Sequence, residues 1–323
     1  MRKSFAKVSC LDDKRVVSIG AGNEHSLFVT QEGKLYTAGY NDNGQCGMGS
    51  TQQVRQPTVV AALEGEEIAQ VHVYNGCEHT LAVTREGKIF SFGYNYRGQL
   101  GLGSTTSEST PRPIRGLLSR RVVLAACSYH HSVMLCADGS LYSCGRNDSG
   151  QLGHGDTVDK KTPQTVISCP KGIVSISCGQ FHTVAATSSG AAFVCGKNDY
   201  GQLGIENSSN VKIFTEIGGH PEIEQIVQVC CGYYHTLILS NSGIVAGFGR
   251  NDYGQLGLGH AQPKVYSCTA IGTLRDKGVR MVSAGCYHSV VITANGMLYV
   301  FGRNNHGQLA TGDQEERHSP HPV

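Results

Sequence analysis

The chain has 323 residues and a formal net charge of +2 at neutral pH, a balance that gives no reason to expect a nucleic acid or an acidic membrane surface as partner. Charged residues are only 16% of it and glycine fills 42 positions, roughly twice the usual share, which suits many short strands joined by tight turns. No run of about 18 apolar residues occurs, and Met1 to Cys10 carries Arg2, Lys3 and Lys7 without an apolar stretch, so neither a membrane span nor a signal peptide is expected. A cytoplasmic or nuclear setting follows from that reading.

In chain order, Met1 to Asp13 come first, and Ser4 to Leu11 reads as the last strand of a preceding unit, a terminal strand helping a ring to close. From residue 14 the chain divides into six repeats, 14–66, 67–119, 120–171, 172–224, 225–277 and 278–323, read as one domain. One landmark is a histidine followed by Ser or Thr, at His25, His79, His131, His182, His235 and His288, with spacings of 54, 52, 51, 53 and 53 residues. The other is a Gly-x-Asn-x-x-Gly-Gln-apolar loop beginning at Gly39, Gly93, Gly145, Gly196, Gly249 and Gly302. Its apolar residue is Leu except at Cys46. Glycines and asparagines at fixed offsets mark backbone that most residues adopt only with strain.

The last repeat reads most plainly. Val279–Ala284 is a short β-rich run, Gly285–His288 turns the chain, Ser289–Thr293 is a second strand, and Ala294-Asn295-Gly296 is a hairpin turn. Met297–Phe301 is a third strand, and the segment around Ser319-Pro320 supplies a fourth, as do those around Thr110-Pro111 and Thr162-Pro163. The alternation recurs in register: Leu27 and Val29, Leu81 and Val83, Val133 and Leu135, Val184 and Ala186, Leu237 and Leu239, Val290 and Ile292. Helical spacing never wins a window of useful length. The fold class is therefore all-β, a β-propeller of four-stranded antiparallel blades.

Trp is absent and Gly218-Gly219 is the lone Gly-Gly pair, which excludes the WD and kelch types of propeller. The paired motifs Gly-x-x-His-[Ser/Thr] and Gly-x-Asn-x-x-Gly-Gln-Leu-Gly, at a period of 51 to 54 residues, resemble the regulator of chromosome condensation family over residues 14 to 323. Family propellers usually have seven blades, so the resemblance leaves six or seven here. Departures are local: Ser128 replaces the first glycine of the third histidine loop, Ala310 replaces the last glycine of the sixth Asn loop, and the fourth repeat lacks its Ser/Thr-Pro. Ending at Pro322-Val323, in what reads as a fourth strand, suggests a domain of a longer protein.

Six equivalent histidines invite a metal or catalytic reading, but equivalent positions stand one blade apart, too far to share an ion. Paired, partly buried fold residues are expected instead. None of the thirteen cysteines is spaced Cys-x-x-Cys, and Cys127, Cys178 and Cys231 align with Ala21 and Ala284, so they read as small core thiols, neither disulfide-bonded nor metal-bound. No P-loop, nucleotide-binding glycine motif or nucleophile elbow appears, and neither enzyme activity nor a cofactor is expected.

Function is then carried by the variable positions. Antiparallel strands place the histidine loop and the Asn loop at one end of each blade, with the Gly33, Gly87, Gly139, Gly190, Gly243 and Gly296 turns at the other. Beside the invariant residues stand Glu24 and Glu78 in the first two repeats, and Tyr129, His130, Phe181, Tyr233, Tyr234 and Tyr287 in the others, with Arg146, Lys197, Arg250 and Arg303. Aromatics and arginine are interface anchors. These residues are expected to dock a protein partner with an acidic or apolar surface.

The resemblance implies three functions: a protein-recruiting module, as in HECT-type ubiquitin ligases; guanine-nucleotide exchange on a Ran-type small GTPase; or light sensing, as in the plant UV-B receptor. A chain without Trp lacks the chromophore of the last. Exchange in the founding member uses an inserted β-wedge, for which evenly spaced repeats leave little room. The interaction module leads, with exchange the alternative.

Overall fold

The strand pattern expected from the period-2 alternation recurs in every repeat. The computed structural model describes residues 7–73, 76–218 and 221–323. Among these it holds six four-stranded antiparallel sheets, spanning 16–59, 68–113, 122–165, 173–216, 226–270 and 279–322, each with its strands in sequence order. These are the blades of a β-propeller, and the residues expected to be a single domain group into two compact units. One comprises Lys7–Asp148 with Thr157–Cys169, the other Ser149–Asp156 with Pro170–Val323.

The first blade shows why the sequence makes this unit. Strand β1, Val16–Ala21, turns through the Gly22–Glu24 loop into β2, His25–Thr30, whose Leu27 and Val29 are fully buried. A tight turn with Gly33 at φ 77° returns the chain as β3, Leu35–Gly39, a conformation for which glycine carries no Cβ penalty. The Asn loop then leads to β4, Val54–Val59, which is mostly polar and exposed and contains Pro57. Proline is tolerated there because β4 is an edge strand needing no further ladder donor. Pro111, Pro163 and Pro320 sit likewise in the fourth strands of other blades. The fourth blade forms its outer strand, Val211–Glu216, without proline, so proline is permitted and not required.

Of the expected terminal strand, residues 1–6 lie outside the described residues. Ser9–Leu11 forms a 3-10 turn and not a strand, because Val8, Ser9 and Leu11 carbonyls accept from Leu11, Asp12 and Lys14 within the segment itself.

Neighbouring blades are tied by the histidine and the hydroxyl that follows the next histidine. His25 Nε2 lies 3.3 Å from Thr80 Oγ1, whose proton goes to the Gln45 carbonyl at 2.9 Å. His79 meets Ser132 at 2.8 Å and Ser132 donates to Gln99 O; His182 meets Thr236 at 3.0 Å and Thr236 donates to Gln202 O; His235 meets Ser289 at 3.1 Å and Ser289 donates to Gln255 O. A hydroxyl has one proton, so having donated it the oxygen accepts, and Nε2 carries the imidazole hydrogen. His25, His79, His182 and His235 are thus paired fold residues, each with a side-chain hydroxyl of the next blade as partner.

The glycine three residues before each histidine is a consequence. A Cβ at Gly179 or Gly232 would lie 2.0 Å from Cε1 of His182 or His235. Where Ser128 stands instead, its Oγ meets His131 Nδ1 at 2.7 Å.

Two outcomes follow. Thr236→Val keeps the shape but strands the His182 N–H and the Gln202 carbonyl, both buried, so chemical denaturation should show a loss of about 2–4 kcal/mol. Burial pushes His25 down to about 4 and His182 and His235 to about 3 from the ordinary 6.5. Between those values the unfolded chain holds more protons than the folded one, so stability is full above pH 6.5 and falls as pH drops through the window. A loss of about 2 kcal/mol per histidine near pH 5 is expected, and thermal midpoints measured across pH check it.

Candidate interaction surface

The Asn loop is built by its own side chains. Asn41 Oδ1 accepts from the Cys46 N–H at 2.8 Å while its Nδ2 donates to the carbonyls of Ser50 and Gln52, and Gln45 Oε1 accepts from the Asn43 N–H. Asn95 with Gln99, Asn251 with Gln255 and Asn304 with Gln308 make corresponding bonds to the backbone of their own loops. The glycine before each Gln lets the loop lie on the next outer strand: a Cβ at Gly44 would be 2.3 Å from Ser109 Cα.

One backbone bond recurs in all six blades and places the variable residues. The N–H before the loop Asn donates to the carbonyl before the histidine: Tyr40 to Glu24, Tyr94 to Glu78, Arg146 to His130, Lys197 to Phe181, Arg250 to Tyr234 and Arg303 to Tyr287. Each pair of variable side chains therefore emerges side by side.

In the unit of the last three blades the expected residues come together. Lys197 Nζ lies 5.3 Å from the Phe181 ring, Phe181 stacks on Tyr234 at 6.0 Å, and the Arg250 guanidinium sits 5.8 Å from Tyr234 and 5.1 Å from Tyr287. Arg303 follows, 5.6 Å from Tyr287, while Tyr233 packs edge-on against Tyr287 at 5.3 Å. Cations and ring faces alternate, each contact attractive through the ring quadrupole. Tyr200 and Tyr253, absent from the sequence-based set, complete the row: Arg250 is 5.1 Å from Tyr200, and Arg303 5.1 Å from Tyr253. Their signal was a shared offset, two residues after the loop Asn. All these rings are half-buried.

Charge pairing separates the cations. Lys197 pairs with Asp199 at 2.9 Å and Arg250 with Asp252 at 2.5 Å. The hydrogen bond that Arg250 donates to Asp252, more than the burial that opposes it, raises the Arg250 pKa above its ordinary value. Arg303 has Asn305 where the others have Asp. It makes no ion pair among the described residues, and its buried Nε has no hydrogen-bond acceptor.

The unit of the first three blades holds a different set. Tyr129 and His130 meet edge-on at 4.3 Å, with Tyr94 at 5.7 Å from His130. Burial, then Arg146 and Arg97, lowers the His130 pKa to about 4. Arg146 is paired with Asp148 at 2.5 Å. Glu78 accepts from Asn43 at 2.9 Å and from Asn23 at 3.5 Å, so it braces two loops, and Glu24 is exposed.

A second group was not expected. Cys77, His79 and Cys127, all buried, bring their sulfur and nitrogen atoms within 4.8 Å of one another. The reading of the cysteines as small core thiols did not foresee this juxtaposition. Cys77 and Cys127 are not equivalent positions, so packing of adjacent blades joins a Cys-x-His pair to a cysteine at the end of the next blade's first strand. No Cys-x-x-Cys spacing announces it.

These motifs, repeated at this period on four-stranded blades, decide the family. The RCC1-like domain model matches residues 2–323. The chain belongs to the RCC1-like domain family. It is 32% identical to the ultraviolet-B receptor UVR8 of Arabidopsis thaliana over 99% of this chain and 72% of that one. It is 34% identical to the human E3 ubiquitin-protein ligase HERC2 over 90% of this chain, which spans 6% of that protein. The structure of Prp20p from Saccharomyces cerevisiae, reported with its binding to Gsp1p and histones, aligns with a TM-score of 0.82 at 21% identity, covering 95% of this chain and 76% of that one. That likeness shows the fold. Among the described residues no helix is long and apolar enough to cross a membrane.

None of the thirteen cysteines is in a disulfide, and only Cys10 is exposed. Burial pushes Cys46 and Cys136 up to about 11, and Cys144 and Cys268 to about 12. Alkylation of the native protein should therefore modify Cys10 first, with all thirteen reacting in denaturant without reductant, as mapped by mass spectrometry.

Proposed function

We propose that this RCC1-like propeller is a protein-interaction module whose last three blades dock an acidic or apolar segment of a partner, by way of the row from Lys197 and Phe181 to Tyr287 and Arg303. The supporting observation is Arg303, the row's cation with no carboxylate of its own, flanked by half-buried Tyr253 and Tyr287. An arginine held between rings and lacking an acid offers a partner carboxylate a charge-assisted bond at little ordering cost. Similarity to part of a ubiquitin ligase is consistent with a recruiting domain, and a cytoplasmic or nuclear setting suits thirteen cysteines without a disulfide.

Random linear peptides displayed against the immobilised chain should enrich for an acidic residue beside apolar ones. Tyr287→Ala and Arg303→Ala should each weaken the selected peptide at least tenfold, or about 1.4 kcal/mol, with the thermal midpoint moved by only a few degrees. Glu32→Ala with Glu86→Ala, at the other end of the blades, should leave binding unchanged. Enrichment of basic peptides, or unaltered binding by both variants, would refute the reading.

Exchange on a Ran-type GTPase is the alternative. Apart from the single bridge Ile205–Ser267, no strand pairing lies outside the six sheets among the described residues, which leaves no extra hairpin to act as a wedge. Release of fluorescent nucleotide from Ran is expected to proceed at the same rate with and without the chain. A hundredfold acceleration, about 2.7 kcal/mol off the barrier, would establish exchange instead.

A further inference from the structure

In the second blade's histidine loop a cysteine sulfur faces the Nδ1 side of the imidazole. His25, His182 and His235 have buried Nδ1 atoms without a partner, and residues two positions before them are Asn23, Gln180 and Tyr233. At His79 that position is Cys77, whose Sγ lies 3.1 Å from Nδ1, and at His288 it is Cys286. Cys127, from the adjacent blade, brings its Sγ to 3.6 Å from that of Cys77. Cys77, His79 and Cys127 are each wholly buried.

The imidazole is already set as a ligand. Ser132 donates its proton to Gln99 O, so it accepts from His79 Nε2–H, and Nδ1 presents its lone pair to Cys77 Sγ, with Cys127 Sγ in the same cluster. Orientation of a histidine through its other nitrogen is the usual support of a metal-binding imidazole. The donor separations are close to those a bound ion demands: with bonds near 2.3 Å to sulfur and 2.0 Å to nitrogen, tetrahedral geometry requires about 3.8 Å between sulfurs and about 3.5 Å from sulfur to nitrogen. The carbonyl oxygen of Ser128 lies 3.0 Å from Cys77 Sγ, at the edge of the same cluster.

We propose that Cys77, His79 and Cys127 form a binding site for a thiophilic d10 cation, Zn(II) or Cu(I), that pins the second and third blades together. Two thiolates and a neutral imidazole are soft donors that select such ions. Binding replaces two S–H bonds with two metal–sulfur bonds and releases two protons to solvent, with no change of oxidation state. Zn(II) then leaves the buried cluster neutral and Cu(I) leaves it with one negative charge.

The full chain, stripped of metal under anaerobic conditions, is titrated with Zn(II) and separately with Cu(I) against a chromophoric chelator. One equivalent of either ion should outcompete the chelator, and the arm that does so names the ion. Co(II) added to the parent protein should give thiolate-to-cobalt charge-transfer absorption together with visible bands of low-symmetry cobalt, a readout independent of any variant. Cys127→Ala and Cys77→Ser should abolish binding, whereas Cys178→Ala, at the position equivalent to Cys127 one blade on, should keep it. Far-UV circular dichroism confirms that each variant is folded. Failure of both ions and of cobalt to bind, or binding unchanged in folded Cys127→Ala, overturns the proposal. A Cys77–Cys127 disulfide in protein purified without oxygen also overturns it, since it consumes both sulfur ligands.

Discussion

A hydroxyl group held between an imidazole and a carbonyl of the neighbouring blade is the contact on which the rest depends. Thr80, Ser132, Thr236 and Ser289 each accept from a histidine and donate to a glutamine carbonyl of the preceding blade. The bond pair lies where neither partner reaches water, and an unmade bond there costs more than a made one gains. That asymmetry fixes the register of one blade on the next. It also accounts for three recurring residues together: the histidine, the small hydroxyl after it, and the glycine, replaced only by Ser128, whose missing Cβ admits the ring.

Because backbone and invariant side chains satisfy the loops, the residues beside them are released from structural duty. The N–H before the loop Asn and the carbonyl before the histidine bond to each other whatever their side chains are. Sequence can therefore diverge there without loss of fold, which is how one scaffold carries Glu24 with Tyr40 in one blade and Tyr287 with Arg303 in another. In the last three blades this freedom is filled by rings and cations in alternation. Arg250 is held by Asp252, while Arg303, with Asn305 in the corresponding place, keeps an unmatched charge.

The cysteines divide by the same logic. Cys46 occupies the site that Leu100, Leu203 and Leu256 fill in other blades, and all are buried to the same degree. There the thiol is a small apolar group whose ionisation is opposed by burial. Cys77 and Cys127 have the same burial but face a nitrogen and each other, and so acquire chemistry that their burial alone would deny them.

The sequence by itself determined the all-β blades and the end at which the variable residues emerge, but it left six or seven blades open, and the structure shows six sheets among the described residues. The blades and that end follow from local periodicity, turn glycines and fixed repeat spacing, none of which needs a distant contact. It also marked Phe181, Tyr233, Tyr234, Tyr287, Lys197, Arg250 and Arg303 by their offsets from the invariant Asn and His. Sequence could not show that Tyr200 and Tyr253 complete the row, nor that the unpaired cation is Arg303, because these depend on which side chains turn toward one another across blades. The hydroxyl after each histidine was visible as a motif but mute, since its partners lie about 35 and 55 residues away. Cys77 and Cys127, 50 positions apart, became neighbours through blade packing alone: a repeat period brings equivalent positions one blade apart, whereas these two sulfurs in contact stand at inequivalent ones, and only tertiary structure chooses which.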